Sequence, residues 1–400
     1  MTSSEPAPAP WRPGATPIRV GIVGLGNVGL GHHVPALLAI RDLARVVAVA
    51  DPSAERRDLA VTALGLAADA AAASPDELLA RDDLDVIDLA TPPDVRPDLA
   101  LRAIASGRAV VCEKPIALAP ADGARIAAAS RKTGVPAAVI HNYLGLPEIV
   151  AARAAIDAGS IGRPDLAILN YLGVEDRPGS AAWRPNWRHD PSVAGGGVLM
   201  DMLHVVYVAE ALLGRPFHAV SAQVMGRTEG ARVEDLAVCR FDAEGAIALV
   251  NVGWGFGPGG IAVAGPGGRI EIGYEGGGTG PFAALSSVRL TTTDGRVSDL
   301  TPALPPRGAP IDVRMADAFR TLFERLAAGR PPVATADDAV RALEGVLGAY
   351  SSATTGRSVA LPLGPDDPVH RSGIVGLADL DLDPHGPIGR SGLYGVSITH

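Results

Sequence analysis

The 400-residue sequence has few of the residues on which several classes of protein depend. It contains only two cysteines, Cys112 and Cys239, in no CxxC pattern, so neither a disulfide framework nor a thiolate zinc site is expected. The net charge of −9 argues against nucleic-acid binding, because phosphate contacts need a basic surface. The sequence lacks a run of about 20 strongly apolar residues, and its N-terminus lacks the basic start and apolar core of a signal peptide. We therefore expect a cytoplasmic protein with no membrane span, nucleic-acid partner or metal site.

Lysine is the scarcest cation. Lysine and arginine together number 35, yet only Lys114 and Lys132 are lysines. Arginine stays protonated in proteins, whereas the pKa of a lysine amine can be lowered by its surroundings. The two lysines therefore mark positions where an amine could be required. Lys132 is near the end of a predicted helix, where the helix dipole stabilises a cation, and we interpret it as structural.

Two patterns of secondary structure divide the chain. Up to about residue 140, short apolar strands alternate with helices of about ten residues, which predicts a parallel sheet. Later β-like runs follow one another without helices between them, which predicts a mostly antiparallel sheet. The expected fold class is α/β, with an N-terminal Rossmann doubly wound parallel sheet and a C-terminal α+β domain that has an open sheet. The expected boundaries are a disordered lead-in at 1–16, a Rossmann domain at 17–140, a domain for substrate binding and oligomerisation at 141–362 whose last helices could pack back on the Rossmann domain, and a tail at 363–400.

A glycine-rich segment directly follows the first predicted strand, Ile18–Val23, and opens a predicted helix. Its residues are Gly24, Leu25, Gly26, Asn27, Val28 and Gly29. Gly24 would allow a tight turn, Gly26 would let a pyrophosphate approach the backbone, and Gly29 would let the helix pack on the strand. This helix is predicted to extend to about residue 43, and its N-terminus would face the phosphates. In this context the segment predicts a dinucleotide site rather than a structural glycine turn.

Asp51 ends the next predicted strand, where an acid would accept hydrogen bonds from the adenosine ribose. A carboxylate there repels a 2′-phosphate and so favours NAD over NADP. Arg56 and Arg57 keep NADP possible, although we interpret them as a solvated helix face. His32 and His33, early in the first helix, are expected to face solvent or the helix dipole.

The sequence Glu113-Lys114-Pro115 comes just after the predicted strand Ala109–Cys112. Open α/β sheets bind their ligands at the carboxyl ends of their strands. Lys114 could therefore exchange a proton with a hydroxyl there, since burial and a cationic nicotinamide ring lower a lysine's pKa. Pro115 would shape the turn, through a cis or a trans peptide bond. The alternative is a surface lysine before a proline.

Three glycines, 195–197, open another predicted helix, which continues to about Leu213. They would let the backbone pass close to the nicotinamide and the substrate. Asp201 and His204 are three residues apart and would share one face of this helix, where a carboxylate and an imidazole suit proton transfer. The alternative is an aspartate that complements the helix dipole and a packed histidine.

An aromatic and basic segment precedes these glycines. Trp183, Arg184, Trp187 and Arg188 could form a substrate wall, because aromatic faces stack on sugars and arginine binds hydroxyls or carboxylates. A loop held by its aromatic residues, or a contact between subunits, is an equal alternative.

Taken in order, four segments resemble the glucose–fructose oxidoreductase / inositol dehydrogenase (Gfo/Idh/MocA) family. They are the glycine segment 24–29, Thr91-Pro92-Pro93, Glu113-Lys114-Pro115 and the three glycines with Asp201 and His204. The resemblance covers about residues 18–362. It implies a Rossmann domain that binds NAD or NADP and a second domain that covers the nicotinamide and often forms the oligomer interface. It also implies oxidation or reduction of sugars, cyclitols or related polyols by a homodimer or homotetramer.

By resemblance, Lys114 contributes to catalysis, Asp201 orients the substrate and His204 is the acid/base. Including the residues inferred above, those expected around the cofactor are Gly24, Leu25, Gly26, Asn27, Val28, Gly29, Asp51, Thr91, Pro92, Pro93, Glu113, Lys114 and Asn142. Those expected around the substrate are Tyr143, Trp183, Arg184, Trp187 and Arg188. The family usually places its aspartate four residues before the histidine, not three. It also often has a basic residue after the Asn-Tyr pair, where this chain has Leu144.

Three functional hypotheses remain open at this point. The leading one is an NAD(P)-dependent oxidoreductase that transfers a hydride to or from a secondary alcohol carbon. A second enzyme would retain NAD and use transient oxidation for elimination or epimerisation of a glycoside. The third is a non-catalytic dinucleotide-binding regulator.

Overall fold

A computed structural model describes residues 11–14, 16–174, 189–226, 233–255, 257–274, 285–303 and 311–379. The chain divides into two compact units. The first comprises Met1–Ala117, Asp122–Asn142 and Asp312–Ala339, and the second comprises Leu118–Ala121, Tyr143–Ile311 and Val340–His400.

The first unit contains a six-stranded parallel sheet with the order β3-β2-β1-β4-β5-β6. Its strands are β1 Ile18–Val23, β2 Ala44–Ala50, β3 Ala71–Ala72, β4 Val86–Leu89, β5 Ala109–Cys112 and β6 Ala137–Val139. The early helices are α1 Val34–Ala39, α2 Ala54–Leu64, α3 Pro75–Leu79, α4 Arg96–Ala105 and α5 Pro120–Thr133. This order reverses between β1 and β4, the point at which such sheets bind ligands, and it confirms the predicted Rossmann sheet.

Within the described residues, the second unit contains a nine-stranded sheet whose β7–β10 pair is parallel and whose other pairs are antiparallel. Its strands are β7 Leu166–Val174, β8 Phe217–Met225, β9 Leu236–Ala243, β10 Ala246–Trp254, β11 Gly259–Gly265, β12 Gly268–Tyr274, β13 Leu285–Thr292, β14 Val297–Asp299 and β15 Val359–Ala360. The remaining helices along the chain are α6 Pro147–Asp157, α7 Pro191–Ala194, α8 Val198–Asp201, α9 His204–Leu213, α10 Ile311–Ala327, α11 Ala336–Thr355 and α12 Pro368–Ser372. The predicted mostly antiparallel sheet is therefore confirmed.

Burial explains how each sheet is held. In β1 the alternate residues Ile18, Val20 and Ile22 are all buried in the core of the first unit, as expected for a central parallel strand. Phe319 and Phe323 of α10 join the same core, so this late helix belongs to the first unit. In the second unit α6 and α9 pack on one face of the sheet.

Several local predictions differ from the structure. The helix after the glycine segment begins as a π-helical turn at Gly29–His33 and ends at Ala39, because the turn over residues 40–43 leads directly into β2. The sequence did not predict β11, β13 or the short strands β3, β14 and β15. β11 is rich in glycine, and its pairing with β7 and β12 overrides the low strand propensity of glycine. Trp11 in the predicted lead-in is anchored, since its indole Nε1 donates to Gly107 O at 3.0 Å.

The described helices were also compared with the length and hydropathy of a membrane span. No single one of them is long and apolar enough. One pair of helices, 191–201 and 204–213, reaches that length and hydropathy only when the two are taken together, and the pair is bent by 43°.

Candidate active site

The glycine segment lies at the carboxyl end of β1, and its three motif glycines face different surroundings. Gly24 has a φ of +94°, and a Cβ there would lie 2.6 Å from Ala90 O. A Cβ on Gly29 would lie 2.2 Å from Gly24 O. A Cβ on Gly26 would meet no atom of the structure within 4 Å. Gly24 and Gly29 are therefore required by the fold, whereas Gly26 keeps a space open beside the loop.

Asp51, which follows β2, fastens this loop. Its Oδ2 accepts a hydrogen bond from Leu25 N at 2.8 Å, and its Oδ1 accepts one from Ser53 N at 2.8 Å. Each carboxylate oxygen retains acceptor capacity for a further donor, such as a ribose hydroxyl. Arg57 folds back, and its Nη1 donates to the main-chain oxygen of Asp51 at 2.7 Å rather than extending from a solvated face.

Two buried polar atoms in the first unit fit a bound dinucleotide. The hydroxyl of Thr91, after β4, and the Oδ1 of Asn142 have no hydrogen-bond partner among the residues that the structure describes. A buried polar group without a partner costs roughly 1–3 kcal/mol, so a ligand that satisfied both would recover that energy. Together with the space at Gly26, these atoms fit the NAD(P) predicted from the sequence.

Lys114 lies on a turn after β5 that is fastened by a buried arginine. Arg96 is 2% exposed and donates through Nη1 to Pro115 O and through Nη2 to Thr91 O. The Lys114–Pro115 peptide bond is cis. One guanidinium thus ties the Lys114 turn to the turn at Thr91 through two of its forked donors. Sequence reasoning missed Arg96, whose signal was an arginine at the first position of α4, just after Thr91-Pro92-Pro93.

A second buried group holds the same turn. His33 is fully buried, its Nδ1 lies 2.8 Å from Asp88 Oδ2, and its Nε2 lies 3.0 Å from Glu113 Oε1. The expectation that His33 faces solvent or the helix dipole is therefore wrong. His33 is the last residue of the π-helical turn, in which main-chain hydrogen bonds span five residues rather than four, and its ring is buried.

The neighbouring Cys112 is a buried free thiol. Burial raises the pKa of its thiol to about 12, so thiolate is scarce at neutral pH.

In the second unit, the segment with Asp201 and His204 is not one helix. α8 ends at Asp201 and α9 begins at His204, and the two are separated by Met202 and Leu203. Leu203 N donates to Met200 O and Val205 N donates to Met202 O, both over three residues. The predicted continuous helix is therefore wrong, because these 3₁₀-type bonds tighten the chain at this point.

Protein groups occupy the space beside the three glycines. A Cβ on Gly196 would lie 2.3 Å from Tyr350 Oη, and one on Gly197 would lie 2.1 Å from Glu234 O. Glycine is thus required at these two positions by the packing of the second unit, rather than by a cofactor or substrate as we expected.

Glu234 and Tyr350 fix the start of α8. Glu234 accepts hydrogen bonds from Gly197 N and Leu199 N, both at 2.9 Å, and from the Tyr350 hydroxyl at 2.7 Å. Burial raises the pKa of Glu234 to about 7, although these hydrogen bonds oppose that shift. Sequence reasoning missed both residues, which are distant in sequence from the helix that they fix.

His204 is buried and held on two sides. Its ring stacks on Tyr143 with a centroid distance of 4.1 Å and an interplanar angle of 11°. Its Nδ1 lies 2.6 Å from Tyr207 Oη, which also accepts from Tyr143 N at 3.2 Å. Tyr143 is 1% exposed, so it supports the imidazole and does not present the substrate surface that we expected. The other expected substrate residues, Trp183, Arg184, Trp187 and Arg188, lie outside the described residues.

Comparison with known proteins agrees with this geometry. A profile described as "Oxidoreductase family, NAD-binding Rossmann fold" of the Gfo/Idh/MocA group matches residues 18–141, and the "GFO/IDH/MocA C-terminal domain" matches residues 149–277. Levoglucosan dehydrogenase of Pseudarthrobacter phenanthrenivorans is 30% identical over 35% of this chain and 35% of its own length. D-xylose 1-dehydrogenase (NADP(+)) 2 of Haloferax volcanii is 27% identical over 85% of this chain and 99% of its own. The first four curated relatives are each matched over only 35% to 62% of their length.

The fold also matches solved structures. A levoglucosan dehydrogenase in complex with NADH and levoglucosan superposes with a TM-score of 0.74 over 86% of this chain and 100% of that chain, at 20% sequence identity.

Proposed function

This chain belongs to the Gfo/Idh/MocA family of NAD(P)-dependent oxidoreductases, and we propose that it transfers a hydride between NAD and a secondary alcohol or ketone of a sugar, cyclitol or related polyol. The observation that carries the proposal is the position of Lys114. One of only two lysines in the sequence is on the turn after β5, at the carboxyl edge of the Rossmann sheet, and Arg96 and Glu113 hold that turn. A fixed amine at this edge suits proton exchange with a hydroxyl.

The side chains at the expected ribose site favour NAD over NADP. Asp51 holds the glycine loop through Leu25 N and has acceptor capacity for ribose hydroxyls, whereas its charge disfavours a 2′-phosphate. Arg57 is engaged with main-chain oxygens, which limits its availability to a phosphate. When bound, NAD supplies the hydride acceptor. Gly26 and the loop amides would accommodate its pyrophosphate, and Thr91 and Asn142 offer polar atoms that have no other partner among the described residues.

The protein's own residues would handle the proton. Lys114 takes the hydroxyl proton as the alcohol is oxidised and returns it in the reverse reaction. His204 assists this proton exchange; Tyr207 engages its Nδ1, and the stacked Tyr143 fixes the plane of the ring. Asp201 orients the substrate. We further propose that the enzyme works in the cytoplasm as a homodimer or homotetramer.

The experiment is a cofactor-reduction screen of purified protein with NAD+ and NADP+ against sugars, inositols and other polyols. We expect NADH formation with at least one polyol and a loss of about 100-fold or more in kcat for Lys114→Arg, because a guanidinium cannot accept the proton. Lys132→Arg is the matched control and should retain wild-type activity.

Three results would change the assignment. Full activity of Lys114→Arg would reject the proton-transfer role of Lys114. Tightly held cofactor that turns over without net NADH release would indicate the elimination or epimerisation reaction. NADH binding with no turnover on any polyol would indicate a regulator.

A further inference from the structure

His33 lies in a buried cluster of charged side chains to which the proposed reaction assigns no role. The side chains of His33 and Asp88 are both completely buried, and that of Glu113 is 12% exposed. Asp88 and Glu113 meet opposite nitrogens of the ring, at 2.8 and 3.0 Å. The ring of Phe319 packs edge-on against the imidazole, with centroids 5.0 Å apart. The histidine is thus enclosed by two carboxylates and an aromatic wall.

This geometry determines how many protons the ring carries. An ionised carboxylate can only accept hydrogen bonds, and a neutral imidazole has a single N–H to donate. Two carboxylates at hydrogen-bond distance are therefore both satisfied only by the imidazolium. Burial by itself would lower the pKa of His33, but the charge of Asp88 and the hydrogen bonds to Asp88 and Glu113 outweigh it and raise the pKa to about 10.

Glu113 connects this pair to Lys114. Its second oxygen, Oε2, accepts a hydrogen bond from Lys114 N at 2.9 Å. Burial by itself would raise the pKa of Glu113, but the hydrogen bond and charge of His33 lower it to about 2, with help from the charges of Lys114 and Arg96. The carboxylate next to Lys114 is thereby kept ionised and fixed in orientation.

We propose that His33 is a positioning residue for Lys114: as a buried imidazolium bridging Asp88 and Glu113, it keeps an oriented anion beside the Lys114 turn and so sets the proton affinity of the Lys114 amine. It bears on catalysis only if Lys114 handles the proton as proposed above. Its electrostatic effect, however, is measurable without any substrate.

The scarcity of lysine makes that measurement direct. Reductive methylation with ¹³C-formaldehyde labels Lys114, Lys132 and the N-terminal amine, and the last titrates at a lower pH than lysines. A carboxylate favours the charged form of a neighbouring amine. We therefore expect Glu113→Gln to lower the NMR titration midpoint of Lys114 by about half a pH unit or more. His33→Gln removes the cation and leaves both carboxylates charged, so it should raise that midpoint by a similar amount. Lys132 is the internal reference, and His218→Gln, at an exposed histidine, is the control variant.

A second variant guards against a folding defect in His33→Gln. Asp88→Asn removes the carboxylate that stabilises the imidazolium while preserving the side-chain shape, and it should also move the Lys114 midpoint, by about half a pH unit or more. A Lys114 midpoint that stays unchanged in folded His33→Gln and Asp88→Asn would overturn the proposal.

Kinetics separate positioning from general destabilisation. His33→Gln should reduce kcat about tenfold or more in the wild-type background and cause no further loss in a Lys114→Ala background, while the Kd for NADH stays unchanged. Equal losses in both backgrounds would also reject the proposal. If the Lys114 midpoint shifts as expected but the wild type oxidises no polyol, the proposed function fails while the role of His33 stands.

Discussion

The three glycines of the motif are needed for different physical reasons, as Gly26 shows. Gly24 and Gly29 are enclosed by main-chain atoms of the first unit, so larger side chains there would displace the loop. Gly26 has open space where its side chain would be. The sequence pattern groups the three residues, and only the coordinates separate fold from binding.

We therefore expect Gly26→Ala to fold normally and bind cofactor poorly. The added methyl group meets no atom of the protein, but it occupies the space proposed for the pyrophosphate. The Kd for NADH should rise about tenfold or more, a cost of about 1.4 kcal/mol, with little change in Tm. Fluorescence titration and thermal unfolding measure the two quantities. Gly31→Ala, where a Cβ also meets nothing within 4 Å, is the control, and equal NADH affinity in both variants would contradict the assignment.

At the scale of elements, the start of α8 is capped by a carboxylate from another part of the chain. Glu234 accepts hydrogen bonds from the first amides of α8, and Tyr350 of α11 shares in this cap. The cap positions Asp201 at the end of α8, since that helix is only four residues long. The ionisation of Glu234 should therefore be visible in stability.

The pKa of Glu234, raised to about 7 by burial, predicts the sign of that effect. Between the ordinary value of 4.5 and about 7, the folded state binds the proton more tightly than the unfolded state, so the contribution of Glu234 to stability falls as pH rises. We expect the drop in Tm from pH 5 to pH 8 to be smaller in Glu234→Gln by about 2 °C or more. The pKa of Glu344 is also raised to about 7 by burial, but Glu344 is present in both proteins and so cancels from the comparison. Parallel pH profiles of Tm would count against this role for Glu234.

At the scale of the whole molecule, the second unit has an apolar sheet face open to solvent. Met225, Val238 and Leu249 on β8, β9 and β10 are 49%, 50% and 36% exposed. The strand register places Val238 opposite Asn251, and Leu249 opposite Ile168 of β7, so these side chains share one face. Exposed apolar side chains that share one face can mark an interface, and we take this face as the candidate contact of the proposed homo-oligomer.

Leu249→Arg should consequently weaken self-association. A charge placed in an apolar contact loses hydration without gaining a partner, so the variant should shift towards monomer in size-exclusion chromatography with light scattering. Leu59→Arg, at a residue 55% exposed in the first unit, is the control and should retain the wild-type mass. A monomeric wild type would reject the oligomer, and an unaffected Leu249→Arg would place its interface elsewhere.

Local sequence patterns predicted most elements of the first unit because its strands are short apolar runs bounded by turn residues. Both β1 and β5 have the predicted bounds, and Thr335 caps α11 by accepting a hydrogen bond from Asp338 N. The cap at the start of α8 was not predicted, because Glu234 is more than 30 residues away along the chain.

The sequence by itself determined the parallel sheet, the glycine loop, Asp51 and the position of Lys114 at a strand end, since each depends on neighbouring residues and on the periodicity of burial. Only the tertiary structure decided which groups hold Lys114 and His204. Arg96, His33 and Tyr143 act through contacts between residues distant in sequence, and their burial and hydrogen bonds exist only once the chain has folded.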